Sequence, residues 1–137
     1  MADYKPMIKE KAIKMDSLTK ALGNKAHDVY ILYDDTIDEL VVRFEFPRRP
    51  TAFYYAREGV DLIINTGNNM AIGIVFSEFT TRHVPALKGL LDVWNMQGLP
   101  EVRGYKKVHY KPSGEDTQPY YSPLRSSAKS LKEALAH

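Results

Sequence analysis

The sequence predicts an α+β fold: an antiparallel β-meander of four to five strands packed on one main helix, with short terminal helices. Three observations predict it. Leu40, Val42, Phe44 and Phe46 alternate with Arg43 and Glu45, a period of two that marks a strand with one buried face. Thr66-Gly67-Asn68-Asn69 stands between two apolar runs, and Gly and Asn take positive φ at low cost, so the stretch reads as a hairpin. After Ser77 the period changes: Val84, Leu87, Leu90, Leu91 and Trp94 recur at three and four, the spacing of an amphipathic helix.

Taken in order, the chain divides into a basic arm over 1–27, a meander-plus-helix core over 28–98, and a basic extension over 99–137. Met15, Leu18 and Leu22 predict a short helix closed by Gly23-Asn24. His27 to Tyr33 reads as a first strand, and Asp34 to Glu39 turns it into a second that ends before Pro47. Thr51 to Ala56 is a third strand, with apolar matter on both faces. Val60 to Asn65 and Met70 to Phe76 are the arms of the hairpin, and Gly73 permits a close approach between strands. The main helix is expected from His83 or Pro85 to about Met96, with Pro85 in its first turn. Val102 to Tyr110 reads as an edge strand, 112–125 as an extended or loosely ordered connector, and Ser127 as the cap of a terminal helix.

Composition narrows the function classes. The chain has 137 residues, 44% of them hydrophobic and 26% charged, enough for one modest core. It has no cysteine, which removes disulfides, thiolate metal sites and cysteine nucleophiles. The first residues lack the apolar run of a signal peptide, and no stretch reaches the length of a membrane span. A soluble cytoplasmic protein without membrane insertion is the expectation. The net charge of +2 hides a division: the core carries a balance of −4, while each extension carries +3. The basic arms are therefore available to nucleic acid, to a protein partner, or to the acidic core itself.

Tyr33-Asp34, Asp38, Leu40 and the strand Val41-Val42-Arg43-Phe44 resemble the opening motif of a small bacterial family of uncharacterised proteins with a Tyr-Asp-x-x-x-Asp-x-Leu strand-turn pattern. Val60 to Asn65, the Gly67-Asn68 turn and Ile72-Gly73-Ile74 resemble its closing pattern, so the likeness covers about residues 28–80. The resemblance implies a small antiparallel sheet backed by a helix and assigns no activity, cofactor or catalytic residue. The occurrence of some such genes beside toxin–antitoxin modules hints at partner binding and a weaker regulatory possibility. The basic extensions fall outside the pattern.

No catalytic signature stands out, so the chain reads as a non-enzyme without cofactor or metal. Asp34, Asp35, Asp38 and Glu39 lack the spacing of a calcium loop, and His27, His83, His109 and His137 are not paired at ligand spacing. The leading expectation is a non-catalytic protein-binding or structural protein, acting as a homo-oligomer or as a small subunit of a larger assembly. The alternative is nucleic-acid binding. Arg48 and Arg49, held between Pro47 and Pro50, present guanidiniums suited to phosphate. Arg103, Tyr105, Lys106, Lys107, Tyr110 and Lys111 interleave rings with cations, as single-strand binders do, and the same pattern equally suits an edge strand whose tyrosines pack inward. Trp94 is read as a core anchor, or as an interface hot spot if exposed.

Overall fold

The computed structural model describes residues 13–15, 26–48 and 51–135. The helix expected over Met15–Leu22 and the candidate residue Arg49 therefore lie outside the described residues, Met15 excepted. Seven strands form one antiparallel sheet: β1 (His27–Asp34), β2 (Glu39–Arg43), β3 (Thr51–Arg57), β4 (Val60–Asn65), β5 (Met70–Phe76), β6 (Glu101–Val102) and β7 (Tyr105–Tyr110). Among the described residues three helices accompany them: α1 (Phe79–Arg82), α2 (Lys88–Trp94) and α3 (Tyr121–Leu135).

The sheet is larger than the four to five strands expected, and it is not a simple meander. Its order is β3-β4-β5-β2-β1-β7-β6, so β2 and β3 are not neighbours. The chain leaves β2 through the Pro47 segment, runs β3-β4-β5 as a meander, and brings β5 back beside β2. Composition accounts for the exchange. Met70–Phe76 is apolar on both sides, with Ala71 to Phe76 all buried, and suits the middle of a sheet. β3 carries the polar tips of Tyr54, Tyr55 and Arg57 and suits an edge. Gly73 makes the central junction possible: a Cβ there would lie 2.7 Å from the Val42 carbonyl oxygen and 3.2 Å from the Arg43 Cα.

The main core lies between one face of the sheet and the helices. Val29, Ile31, Leu40, Val42, Leu62, Ile64, Ile74 and Phe76 meet Phe79, Leu87, Leu90, Val93, Leu124 and Leu131. Each large side chain so buried contributes roughly 1.5–3 kcal/mol. On the opposite face Val41, Ile63, Ile72 and Val75 form a second buried group, flanked by Leu32, Phe53, Met70 and Tyr105.

The helices depart from expectation at prolines. The helix read from His83 or Pro85 to about Met96 is shorter, spanning only Lys88–Trp94, and a turn at 83–87 separates it from α1, which lies before the expected range. Pro85, joined to Val84 by a cis peptide bond, has no N–H with which to continue α1. Conversely, Pro123 does not end a loop. It sits in the first turn of α3, where the missing N–H has no intrahelical partner to lose. Helix α3 thus starts six residues before Ser127, which is no cap but a fully buried residue facing α2. No helix among the described residues is long and apolar enough to cross a membrane.

Candidate functional site

The acidic turn between β1 and β2 is occupied by structural bonds. Asp34 Oδ1 accepts hydrogen bonds from the Thr36 N–H at 3.0 Å and the Thr36 hydroxyl at 2.6 Å. Asp38, at φ 51°, accepts from the Tyr33 hydroxyl at 2.7 Å. Its carboxylate also accepts from the Thr80 N–H and, at 2.8 Å, the Thr80 hydroxyl, while its backbone carbonyl receives the Phe79 N–H at 2.9 Å. Helix α1 has no side-chain cap of its own, since Glu78 makes no capping bond. Asp38 supplies the cap from the β1–β2 turn.

These bonds shift both partners. The hydrogen bond to the Asp38 carboxylate, helped by burial and then by the charges of Asp38, Asp35 and Asp34, pushes the Tyr33 phenol up to about 12. Burial pushes the Asp38 carboxyl upward, but the bonds from Tyr33 and Thr80 outweigh it and hold its pKa below the ordinary value. The tyrosine and second aspartate of the strand-turn pattern are thus bonded to each other, and the first aspartate closes its own turn.

The histidines serve separate surroundings. His83 is edge-on to Phe76 at 4.9 Å, with Nε2 3.1 Å from the Gly59 carbonyl oxygen. Burial, only partly offset by that bond, lowers its pKa. His109 lies 3.1 Å from the Asp28 carboxylate, which also faces Lys107 at 3.7 Å. His27 packs against Tyr110 and Phe44 and lines an apolar cavity closed by Leu90, Leu124 and Leu131. That cavity measures about 20 Å³, room for one water molecule. No group of three potential metal ligands occurs among the described residues.

The basic-aromatic segment forms β7, and its side chains divide between the two faces of the sheet. On β7, Val108 and Tyr110 join the core beneath the helices, while Tyr105 packs with the group on the opposite face. Tyr110 is 7% exposed and is removed from any ligand. Lys106 donates to the carbonyl oxygens of Trp94 and Met96 and lies 5.3 Å from the Trp94 ring, a cation at the C-terminal end of α2. Trp94 is half-buried against the core, as an anchor would be. Lys111 rests 6.0 Å from the Tyr121 ring.

Arg103 has a different setting. It occupies the two-residue turn between β6 and β7 at φ 52°, followed by Gly104 at 86°. Both positive angles fit the turn that tight hairpins favour, but the first position normally takes Asn, Asp or Gly. A left-handed arginine costs of the order of 1 kcal/mol. Its guanidinium lies 5.6 Å from the Phe46 ring, and that of Arg48 lies 5.8 Å from the same ring. Residues 55 positions apart in sequence therefore converge. Phe46, expected on the buried face of β2, lies past the end of that strand and is 41% exposed, its ring set edge-on to Tyr30 at 6.2 Å.

Beneath this corner lies Arg43, the cross-strand partner of Tyr30. The sequence places it on the polar side of an alternating strand, yet only 7% of it is exposed. Its Nη2 reaches the Arg48 carbonyl oxygen at 3.5 Å, and its buried Nε has no hydrogen-bond partner. Among the described residues none of Arg43, Arg48 and Arg103 forms an ion pair. By contrast Arg82 pairs with both Glu58 and Glu78, and Arg125 with Asp116. Arg43 is thus a buried cation without a carboxylate, beside two exposed cations that also lack one.

Comparison with family models, with curated proteins and with solved structures finds no match for this chain.

Proposed function

We propose that the protein is a non-catalytic binding module whose ligand is a nucleic acid, held at the corner formed by Arg43, Phe46, Arg48 and Arg103. The supporting observation is the pair of guanidiniums, Arg48 and Arg103, that meet at one exposed ring without a carboxylate partner, with the buried Arg43 cross-strand from the Tyr30 that packs on that ring. Guanidiniums bind phosphate through paired N–H donors, and a phosphate would supply the charge that this corner lacks. Of the sequence candidates, Arg48 and Arg103 carry this reading, while Lys106 and Tyr110 serve the fold.

The test is fluorescence anisotropy with a labelled oligonucleotide at low salt. Arg48→Ala is expected to weaken binding by roughly five- to tenfold, in keeping with one lost charge-assisted contact. Arg103→Asn should do the same while preserving the turn, because Asn-Gly is a favoured pair there. Unchanged affinity in both variants would contradict the proposal.

A second reading, self-association, is favoured by Tyr55. It stands 57% exposed on β3, which ends the described sheet on one side. A large ring on an edge strand is a frequent contact between copies of a chain.

A further inference from the structure

Resting on the nucleic-acid reading above, we infer that the ligand is single-stranded and that one of its unpaired bases stacks at Phe46. The phosphates on either side of that base would then reach Arg48 and Arg103. Three features converge on this. Phe46 is the exposed aromatic of the corner, and its ring is steadied by the buried Tyr30 rather than left to rotate in solvent. The flanking guanidiniums come from different parts of the chain, the segment after β2 and the β6–β7 turn, and converge on one ring. The corner is also not built from a helix or long ribbon able to enter a duplex groove. Arg48 follows a strand end and Arg103 sits in a two-residue turn.

A duplex offers phosphates but keeps its bases stacked on one another. A single strand offers phosphates and bare ring faces together, and an aromatic flanked by cations engages both. Burying Arg43 below the ring without a carboxylate adds positive potential to the same spot.

The experiment compares four probes by anisotropy or competition: an oligothymidylate, an abasic phosphodiester strand of equal length, a duplex of equal length, and thymidine monophosphate. The oligothymidylate is expected to bind about tenfold more tightly than the abasic strand, the contribution of one stacked base. Phe46→Leu should erase that preference, so that base-bearing and abasic strands bind the variant alike. Circular dichroism of the variant checks that the sheet is intact, and Arg103→Asn provides a second variant at a turn that Asn stabilises.

Equal binding of base-bearing and abasic strands, or a preference that survives Phe46→Leu, overturns the inference and leaves nucleic-acid binding standing. A duplex bound as tightly as the single strand also overturns it. If the monophosphate binds as tightly as the oligonucleotide, the ligand is a free nucleotide and the single-strand assignment fails. Failure of every nucleic-acid probe to bind removes the nucleic-acid reading and this inference with it.

Discussion

Asp38 carries more of the structure than its place in a turn suggests. One carboxylate ties the β1–β2 turn to the start of α1 through Tyr33 and Thr80. Replacing it with alanine should cost about 1–2 kcal/mol, the usual price of a lost helix cap, measurable as a lower urea midpoint. The pH dependence has a definite sign. Folding lowers the Asp38 pKa, so its contribution is full above the unfolded value of 3.8 and is lost as pH falls through the lower folded value. Folding raises the Tyr33 pKa from 10.0 to about 12, so its contribution is full below 10 and fades as pH rises toward 12. Urea midpoints across pH should therefore fall less steeply for Asp38→Asn on the acid side, and less steeply for Tyr33→Phe on the alkaline side. Arg43 should behave oppositely to Asp38. A buried cation without a carboxylate gives little net stability, so Arg43→Met should leave the urea midpoint unchanged or raise stability by about 1 kcal/mol. A loss of several kcal/mol would show that Arg43 holds the fold.

At the scale of elements, the α2–α3 contact depends on a missing side chain. A Cβ on Gly89 would lie 2.1 Å from the Pro123 carbonyl oxygen and 2.5 Å from the Ser127 hydroxyl. Gly89→Ala gains helix propensity of up to about 1 kcal/mol, yet forcing the helices apart should cost about 1–3 kcal/mol. A net fall in the urea midpoint is expected; a rise would mean that the helices separate without penalty. This contact also shows what the sequence could not convey. Strands β4 and β5 and their hairpin were legible with their full ranges because alternation and turn chemistry are local. Gly89 and Ser127 are ordinary helix residues until two helices that share no local signal are brought together. The prolines misled in both directions, because Pro85 and Pro123 act through whether an N–H is needed at their own position. The strand order was hidden for the same reason: the pairing of β5 with β2 is a competition between distant segments, decided by which strand has two apolar faces.

The proposed binding corner was half legible. Arg48 and Arg103 stood out by type, but their meeting at Phe46 is a product of topology. Arg43 was concealed, since a charged residue at an alternating position reads as solvated. Period two also divided the 103–111 segment between the two faces of the sheet, which no count of cations and rings could indicate.

For the molecule as a whole, a net charge of +2 is too small to make binding a matter of overall attraction. Location decides. The hairpin bearing the strand-turn pattern spends its carboxylates on folding, and the corner past β2 holds cations that folding does not use. If copies also associate through β3, Tyr55→Lys should convert a dimer to a monomer in light scattering with the circular dichroism spectrum unchanged. A monomeric wild-type chain would remove that second reading.

The salt dependence of oligonucleotide binding is the decisive measurement. Phosphate contacts at Arg48 and Arg103 on a single strand predict a slope of log affinity against log salt of about −1.4, since each contact contributes about −0.7. Arg48→Ala and Arg103→Asn should each make the slope shallower by about 0.7, and the double variant should bring it close to zero. Binding that ignores salt, or a slope that neither substitution alters, would contradict the assignment of function to this corner.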